Sequence, residues 1–164
     1  MKRQIGMLAI VTVLAACSQS ENSAVQQSPQ QGAFALQSES TGGEARVTLR
    51  ASAAAGTIVT LIGQLNYDTS RLTMKNCEIG GQIGAGTRAG KTLHFKEAAP
   101  GVIRAVVEGG VQPLPPATDV LTCTFAAARG APSGPVTVRA QGNVADMSFI
   151  DRPFAAEATV TVGK

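Results

Sequence analysis

Short segments in which apolar and polar residues alternate make up most of the chain after residue 44. In ARVTLRA, residues 45–51, every second residue is apolar and the residues between are arginine or threonine. A period of two is typical of a β-strand that buries one face. The same alternation recurs in TIVTLIGQLNY, TLHFKE, DVLTCTFAA, GPVTVRA and EATVTV, which begin at residues 57, 92, 119, 134 and 157.

Two weaker alternating segments, residues 71–76 and 102–108, add to the predicted strands. Glycine and proline cluster between the strands, as in Gly80–Gly90 and residues 109–118, and such clusters mark turns and loops. No segment sustains an apolar period of 3.6 residues, so we expect little helix. About eight or nine short strands therefore predict an all-β domain over residues 34–164, a two-sheet β-sandwich of jelly-roll topology.

The first 16 residues follow a different pattern, that of an export signal. Lys2 and Arg3 form a positive start, and Gly6–Leu14 form an apolar segment that is too short to span a bilayer. The stretch Ser18–Gly32 is rich in serine and glutamine and has little to bury. Ordering it would cost backbone entropy without a gain in burial, so residues 17–33 are predicted to form a disordered tether.

The junction between signal and tether, Leu14-Ala15-Ala16-Cys17, resembles the lipobox of bacterial lipoproteins. The resemblance implies cleavage before Cys17 and acylation of its thiol and its new amino group, with membrane lipid as a partner. Several acyl chains on one residue give stable anchoring. Ser18 stands where an aspartate would resemble an inner-membrane retention signal, so the outer membrane is favoured. The alternative is a secretory signal cut after Ala16, with an incidental cysteine.

Removal of the signal also changes the charge of the chain. The full sequence has 14 lysine and arginine residues against 11 acidic residues, a formal net charge of +3. Without Lys2 and Arg3 the balance is 12 against 11, a net charge of +1. A nearly neutral domain gives no support to nucleic-acid binding.

Cys77 and Cys123 remain once Cys17 is assigned to lipid attachment. An even pair in an exported chain predicts a disulfide, which would close a loop of about 47 residues and stabilise the fold by roughly 3 to 4 kcal/mol. The alternative is two buried free thiols, because cysteine is a common core residue. Two thiols and a single histidine without close spacing do not suggest a metal site, and we expect no cofactor.

Four stretches in this order resemble the cohesin family and the carbohydrate-binding-module-like sandwiches that share its fold. They are ARVTLRA, LNYDTSRLTM, DVLTCTFAAARGAPSGPVTV, and GNVADMSFID with EATVTVG. Tyr67, Asp68 and Leu72 match the Tyr-Asp-Pro-x-x-Leu segment of cohesins. Thr69 replaces the proline. The resemblance implies the same sandwich and a protein-binding role, and the strand positions with which cohesins contact dockerins correspond to Thr60–Ile62.

Candidate catalytic groups lack a supporting motif. His94, the only histidine, lies on the polar side of its strand, and no nucleophile motif such as G-x-S-x-G is present. Asp68 is interpreted as a turn residue, and Gly80–Gly90 lacks the Lys-Ser/Thr of a phosphate-binding loop. Carboxylates that could in principle pair for glycoside hydrolysis are Glu78, Glu97, Glu108, Asp146 and Glu157. Nothing in the sequence brings these carboxylates together, so we expect that the chain is not an enzyme.

The aromatic content bears on the choice between sugar and protein as ligand. Sugar-binding sandwiches stack pyranose rings on exposed tryptophan or tyrosine, and this chain has no tryptophan and one tyrosine. The sequence therefore predicts a membrane-anchored, non-catalytic, cohesin-like module that binds a protein partner, with the binding residues unassigned. The alternatives are a polysaccharide-binding component of polysaccharide breakdown and a purely structural envelope lipoprotein.

Overall fold

The computed structural model describes residues 32–41, 43–52, 55–83 and 90–162. The predicted signal, Cys17, most of the tether and residues 84–89 of the glycine-rich loop lie outside this part of the chain. The described residues form nine strands: β1 (Phe34–Thr41), β2 (Glu44–Ala51), β3 (Ile58–Asn66), β4 (Leu72–Ile79), β5 (Thr92–Ala99), β6 (Val102–Glu108), β7 (Asp119–Ala127), β8 (Gly134–Asp146) and β9 (Asp151–Val162).

The nine strands form two antiparallel sheets. The four-stranded sheet has the order β1-β2-β7-β4, and the five-stranded sheet has the order β5-β6-β3-β8-β9. The chain crosses repeatedly between the sheets, from β2 to β3, β3 to β4, β4 to β5, β6 to β7 and β7 to β8, as a jelly roll requires. The predicted two-sheet β-sandwich is confirmed, and so is the predicted number of strands.

The core lies between the two sheets and is built from the apolar positions of the alternating segments. Along β2 the residues Ala45, Val47, Leu49 and Ala51 are all buried. Phe125 of β7 is also fully buried. The arginines and threonines between the buried β2 positions are half-buried or exposed, so the period of two read from the sequence describes the real inner and outer faces.

Strand β1 lies outside the segments that the alternation predicts as strands. Only its residues Phe34 and Leu36 are buried, and the strand pairs with a single partner in its own sheet. An edge strand of this kind needs few apolar side chains, so its pattern is weak. Its far side contacts β9, where the Ser38 hydroxyl donates to the Thr159 carbonyl at 2.9 Å and the Thr161 amide donates to the Ser40 hydroxyl at 3.3 Å.

Cys77 and Cys123 form a disulfide. The two residues are direct cross-strand partners in β4 and β7, so the bridge joins neighbouring strands of the four-stranded sheet. Cys123 is fully buried. The predicted pairing is confirmed, and the alternative of two free thiols is wrong.

Candidate interaction face

The outer surface of the five-stranded sheet has a shallow depression of about 630 Å³. We call this surface the five-stranded face. Outward positions of four strands form its walls, because every second residue of each strand points away from the core. The outward residues that line the depression are Ile62, Gln64, Arg104, Val106, Gln141, Asn143, Pro153 and Ala155.

Two glycines form the floor of the depression. Gly63 of β3 and Gly142 of β8 are direct cross-strand partners. A Cβ atom at Gly142 would lie 2.2 Å from the Ile62 carbonyl oxygen, a distance that no real side chain tolerates. The two strands therefore approach each other at this point only because neither glycine has a side chain.

The ring of Phe154 covers the inner side of these glycines. A Cβ atom at Gly63 would lie 3.1 Å from Phe154 Cζ, and the Phe154 ring packs against that of Phe34 with centroids 5.1 Å apart. An aromatic ring over glycine replaces the burial that the missing side chains do not supply. Outward side chains on either side of these glycines, Ile62 and Gln141 among them, line the depression.

The centre of the depression is apolar and its margin is polar. Ile62 is 59% exposed, and Val106, its direct cross-strand partner, is half-buried. Within the described part of the chain, Arg104, Gln141 and Asn143 make no side-chain hydrogen bond or ion pair. An exposed aliphatic centre beside unpaired amide and guanidinium groups is the composition of a protein-binding surface.

Ile62 is the last residue of the segment Thr60–Ile62, which the cohesin resemblance linked to partner contact. Thr60 and Ile62 face outward, whereas Leu61 is fully buried. Ile62 of this segment therefore lies at the depression. No pattern in the sequence predicts the other residues of the depression, because most of them come from three further strands, β6, β8 and β9.

The Tyr67-Asp68 segment lies at the end of β3 and stabilises a turn. The Asp68 carboxylate accepts hydrogen bonds from the Ser70 hydroxyl at 2.6 Å and the Ser70 amide at 2.9 Å. The hydroxyl bond, followed by the amide bond, lowers the pKa of Asp68. This geometry is an Asx turn, in agreement with the structural role predicted for Asp68.

Tyr67 connects the two sheets. Its ring packs against Phe125 of the opposite sheet with centroids 5.0 Å apart, and its hydroxyl donates to Glu97 Oε1 at 2.9 Å. Burial, with a further contribution from the Glu97 carboxylate, raises the pKa of Tyr67 to about 12.

The histidine and the candidate catalytic carboxylates lie on five different strands, and His94 comes together with Glu108. His94 Nε2 lies 3.2 Å from Glu108 Oε1, and both side chains are more than half exposed. Among the described residues, no group of three His, Cys, Asp or Glu side chains could hold a metal ion. The other carboxylates pair locally: Glu78 with Asn76, Glu97 with Tyr67, Asp146 with Arg152 and Glu157 with Arg139.

Lys91 is fully buried, which the sequence analysis did not anticipate. Its Nζ donates to the carbonyl oxygens of Val59 at 2.8 Å, Gly109 at 2.9 Å and Gly110 at 3.3 Å. Val59 lies in a β-bulge, where the pairing of β3 with β8 shifts register, so the lysine supplies a donor at an irregular point of the sheet. Burial lowers the pKa of Lys91.

Nothing that the structure describes bears on lipid attachment, because Cys17 lies outside the described residues. No helix in the described ranges is long and apolar enough to cross a membrane.

Comparison with solved structures finds cohesin modules. The seventh ScaB type I cohesin from Pseudobacteroides cellulosolvens superposes with a TM-score of 0.63 at 18% identity, covering 79% of this chain and 90% of that chain. The sixth cohesin from scaffoldin B of Acetivibrio cellulolyticus, solved in complex with a Cel5 dockerin mutant, has a TM-score of 0.60 at 13% identity, covering 76% and 96%.

A third similar structure is the non-cellulosomal cohesin from the archaeon Archaeoglobus fulgidus, with a TM-score of 0.61 at 11% identity and coverage of 80% and 90%. No family model and no curated protein matches the sequence. At these identities the structural likeness establishes the fold, and the chain therefore has the cohesin fold.

Proposed function

We propose that this chain is a non-catalytic protein-binding module, anchored to the bacterial envelope through acylated Cys17, and that the five-stranded face binds its partner. The observation that carries the proposal is the exposed Ile62 at the apolar centre of a concave surface with a polar margin. A fold seen in complexes with dockerins supports a protein as partner.

The interaction area on the five-stranded face has the features of a small interface core. Ile62 and Val106 can bury apolar area, and exclusion of water from them would strengthen hydrogen bonds at the margin. Arg104 and Gln141 have no intramolecular partner among the described residues, so binding would not break an existing bond.

The alternative hypothesis is a sugar ligand, and the composition of the five-stranded face argues against it. The outward positions that line the depression include no aromatic residue on which a pyranose ring could stack. The amides and the arginine could hydrogen-bond a sugar, and the test below therefore includes polysaccharide competition.

The experiment is photo-crosslinking in cells with a photoreactive amino acid at position 62, compared with one at Thr124. Thr124 lies on the outer side of β7, a central strand of the other sheet, so it is matched in secondary structure. We expect position 62 to yield one reproducible protein adduct that position 124 does not give. Loss of the adduct on adding soluble polysaccharide, equal adducts from both positions, or no protein adduct from position 62 would contradict the proposal.

The anchor is tested separately by Cys17→Ser. We expect the variant to leave the membrane fraction, and mass spectrometry of the wild-type N-terminus to find acyl groups on Cys17. Continued membrane retention of the variant, with an unmodified Cys17 in the wild type, would contradict the anchor. The proposal that the five-stranded face binds a partner would not be affected.

A further inference from the structure

One turn of the sandwich exposes three large apolar side chains. We call the side chains of Met147, Phe149 and Ile150, in the turn between β8 and β9, the apolar tip. They are 57%, 80% and 45% exposed. Exposure of three large apolar side chains in one turn to water is unfavourable, and exposed apolar patches commonly mark interaction sites.

The turn holds these side chains in place through Asp146. The Asp146 carboxylate accepts hydrogen bonds from the Ser148 amide at 2.8 Å and the Ile150 amide at 3.3 Å, and the Asp146 carbonyl accepts one from the Phe149 amide at 2.9 Å. Arg152 pairs with the same carboxylate at 3.2 Å and neutralises its charge. The apolar tip is therefore displayed on a hydrogen-bonded turn.

Phe149 is in an unfavourable backbone conformation. Its φ is +57°, which bulky residues rarely adopt. A strained backbone is normally stabilised by the packing of the residue concerned, but Phe149 is the most exposed large apolar residue among those described. Strain together with exposure indicates that the ring gains its contacts from something outside the domain.

The apolar tip lies at the end of the sandwich where the chain enters the domain. The Met147 amide donates to the Thr57 carbonyl at 3.1 Å, and the Ser52 amide donates to the Ala33 carbonyl at 2.9 Å. Thr57 and Ser52 belong to the same short connection between β2 and β3, so the start of the domain and the apolar tip share this end. The exposed Val111, at 73%, lies in the loop from β6 to β7 at the same end.

The length of chain before the domain limits its distance from a lipid anchor. Cys17 precedes Gly32 by 15 residues, which span roughly 50 Å when fully extended and about 20 Å as a flexible coil. An acylated Cys17 would therefore hold this end of the sandwich within reach of the bilayer, because the tether joins the domain here. The end where β9 finishes lies farther along the domain from the anchor.

We propose that the apolar tip inserts into the headgroup region of the phospholipid bilayer and orients the domain on the membrane. This inference rests on the anchoring part of the proposed function. Apolar side chains enter the boundary between headgroups and acyl chains without spanning the membrane. The strands would then extend away from the membrane surface, and the five-stranded face would remain accessible to a protein partner.

The test uses the absence of tryptophan from the chain. In Phe149→Trp the new residue is the only tryptophan, and its emission reports its surroundings alone. The acylated full-length mature protein is reconstituted into phosphatidylethanolamine and phosphatidylglycerol vesicles, with and without brominated acyl chains. We expect blue-shifted emission and quenching of most of it by the brominated lipid.

Two further variants make the outcome decisive. Ile62→Trp is the control on the five-stranded face, at a position 59% exposed against 57% for Met147, and its emission should stay that of tryptophan in water. Met147→Trp is a second reporter in the apolar tip, for use if Phe149→Trp does not fold. Water-like, unquenched emission from both tip reporters would overturn the proposal.

The remaining outcomes identify other occupants and separate this proposal from the anchor. A blue shift that grows with protein concentration in the absence of vesicles would show that a second copy covers the tip, and would also overturn the proposal. If Cys17 carries no acyl group, the same protein is added to preformed vesicles. Quenching there would support the tip although the anchor fails, and no quenching would reject both.

Discussion

The two sheets of the sandwich differ in how they are held together and in what they show to solvent. The four-stranded sheet has the Cys77–Cys123 disulfide between its strands. Its outer surface is polar, with a Thr48–Thr122 hydroxyl contact at 3.0 Å. The five-stranded sheet has no disulfide among its described residues, and it combines the buried Lys91 with the Gly63–Gly142 contact under Phe154.

The difference assigns stability to one sheet and, under the proposed function, recognition to the other. Because it has a covalent bridge and a polar outer surface, the four-stranded sheet is stable in solvent without a binding partner. The five-stranded sheet depends on the close contact of Gly63 with Gly142, and its outer face carries the depression. Surfaces that bind are commonly carried by a rigid scaffold of this kind.

The largest effect is expected from removing the disulfide. The double variant Cys77→Ala, Cys123→Ala should lose about 4 kcal/mol of unfolding free energy, because the bridge closes a long loop in the unfolded chain. Urea unfolding followed by circular dichroism measures the loss. A reducing agent should produce a similar loss in the wild type and no further loss in the variant. Equal stability of the oxidised and reduced wild type would show that the disulfide does not stabilise the four-stranded sheet.

Gly142→Ala should destabilise the five-stranded sheet by about 3 kcal/mol, because its methyl group would overlap the backbone of β3. Gly81→Ala is the matched control, since a Cβ atom at Gly81 meets nothing within 4 Å. Thermal and urea unfolding of both variants measure the difference. Similar stabilities for the two would show that the close approach of β3 and β8 is not needed.

Lys91→Met should cost about 2 kcal/mol, because three carbonyl oxygens in the sheet lose their shared donor. The exposed Lys96→Met should change the stability little. The cost should also depend on pH. Burial lowers the pKa of folded Lys91, so the unfolded chain binds the proton more strongly and wild-type stability should rise with pH up to the ordinary lysine pKa.

Urea unfolding at several pH values tests this dependence. The stability difference between the wild type and Lys91→Met should grow as the pH increases through the window that ends at the ordinary lysine pKa. A difference that is independent of pH would indicate that the ammonium group is as well solvated in the fold as in the unfolded chain.

The smallest effect concerns Tyr67, which joins the two sheets. Titration of its hydroxyl does not affect stability at neutral pH. As the only tyrosine in the chain, it gives a single tyrosinate absorbance signal. The native midpoint should lie at about 12, above that of the urea-unfolded chain. Stability should therefore be constant below the unfolded pKa and fall as the pH rises through the folded pKa.

Tyr67→Phe should abolish the absorbance change, and Glu97→Gln should lower the native midpoint because the Glu97 carboxylate contributes to the raised pKa. A native midpoint equal to that of the unfolded chain would mean that the Tyr67 ring does not bridge the sheets in solution.

Much of the fold could be predicted from the sequence. Alternation identified the strands around Val47, Leu61 and Phe125, because a half-buried strand needs an apolar residue at every second position. The same reasoning missed β1, which lies at an edge and buries little. It also missed Lys91, since a lysine at the start of a strand has no sequence feature that distinguishes a buried position from an exposed one.

The candidate site could be predicted only in part. Residues near Ile62 were identified through the family resemblance, whereas Arg104, Gln141 and Pro153 were not. These residues come together through the pairing of different strands, and a single strand's pattern contains no information about its neighbours.

The sequence by itself determined the sandwich, the pairing of its two internal cysteines and the turn at Asp68, because each follows from local periodicity, cysteine count or turn chemistry. Only the tertiary structure decided which outer surface is concave, that Lys91 is buried, and that the apolar tip shares an end with the start of the domain. These properties depend on strand register and on the meeting of distant segments, which are set by packing over the whole fold rather than by the order of neighbouring residues.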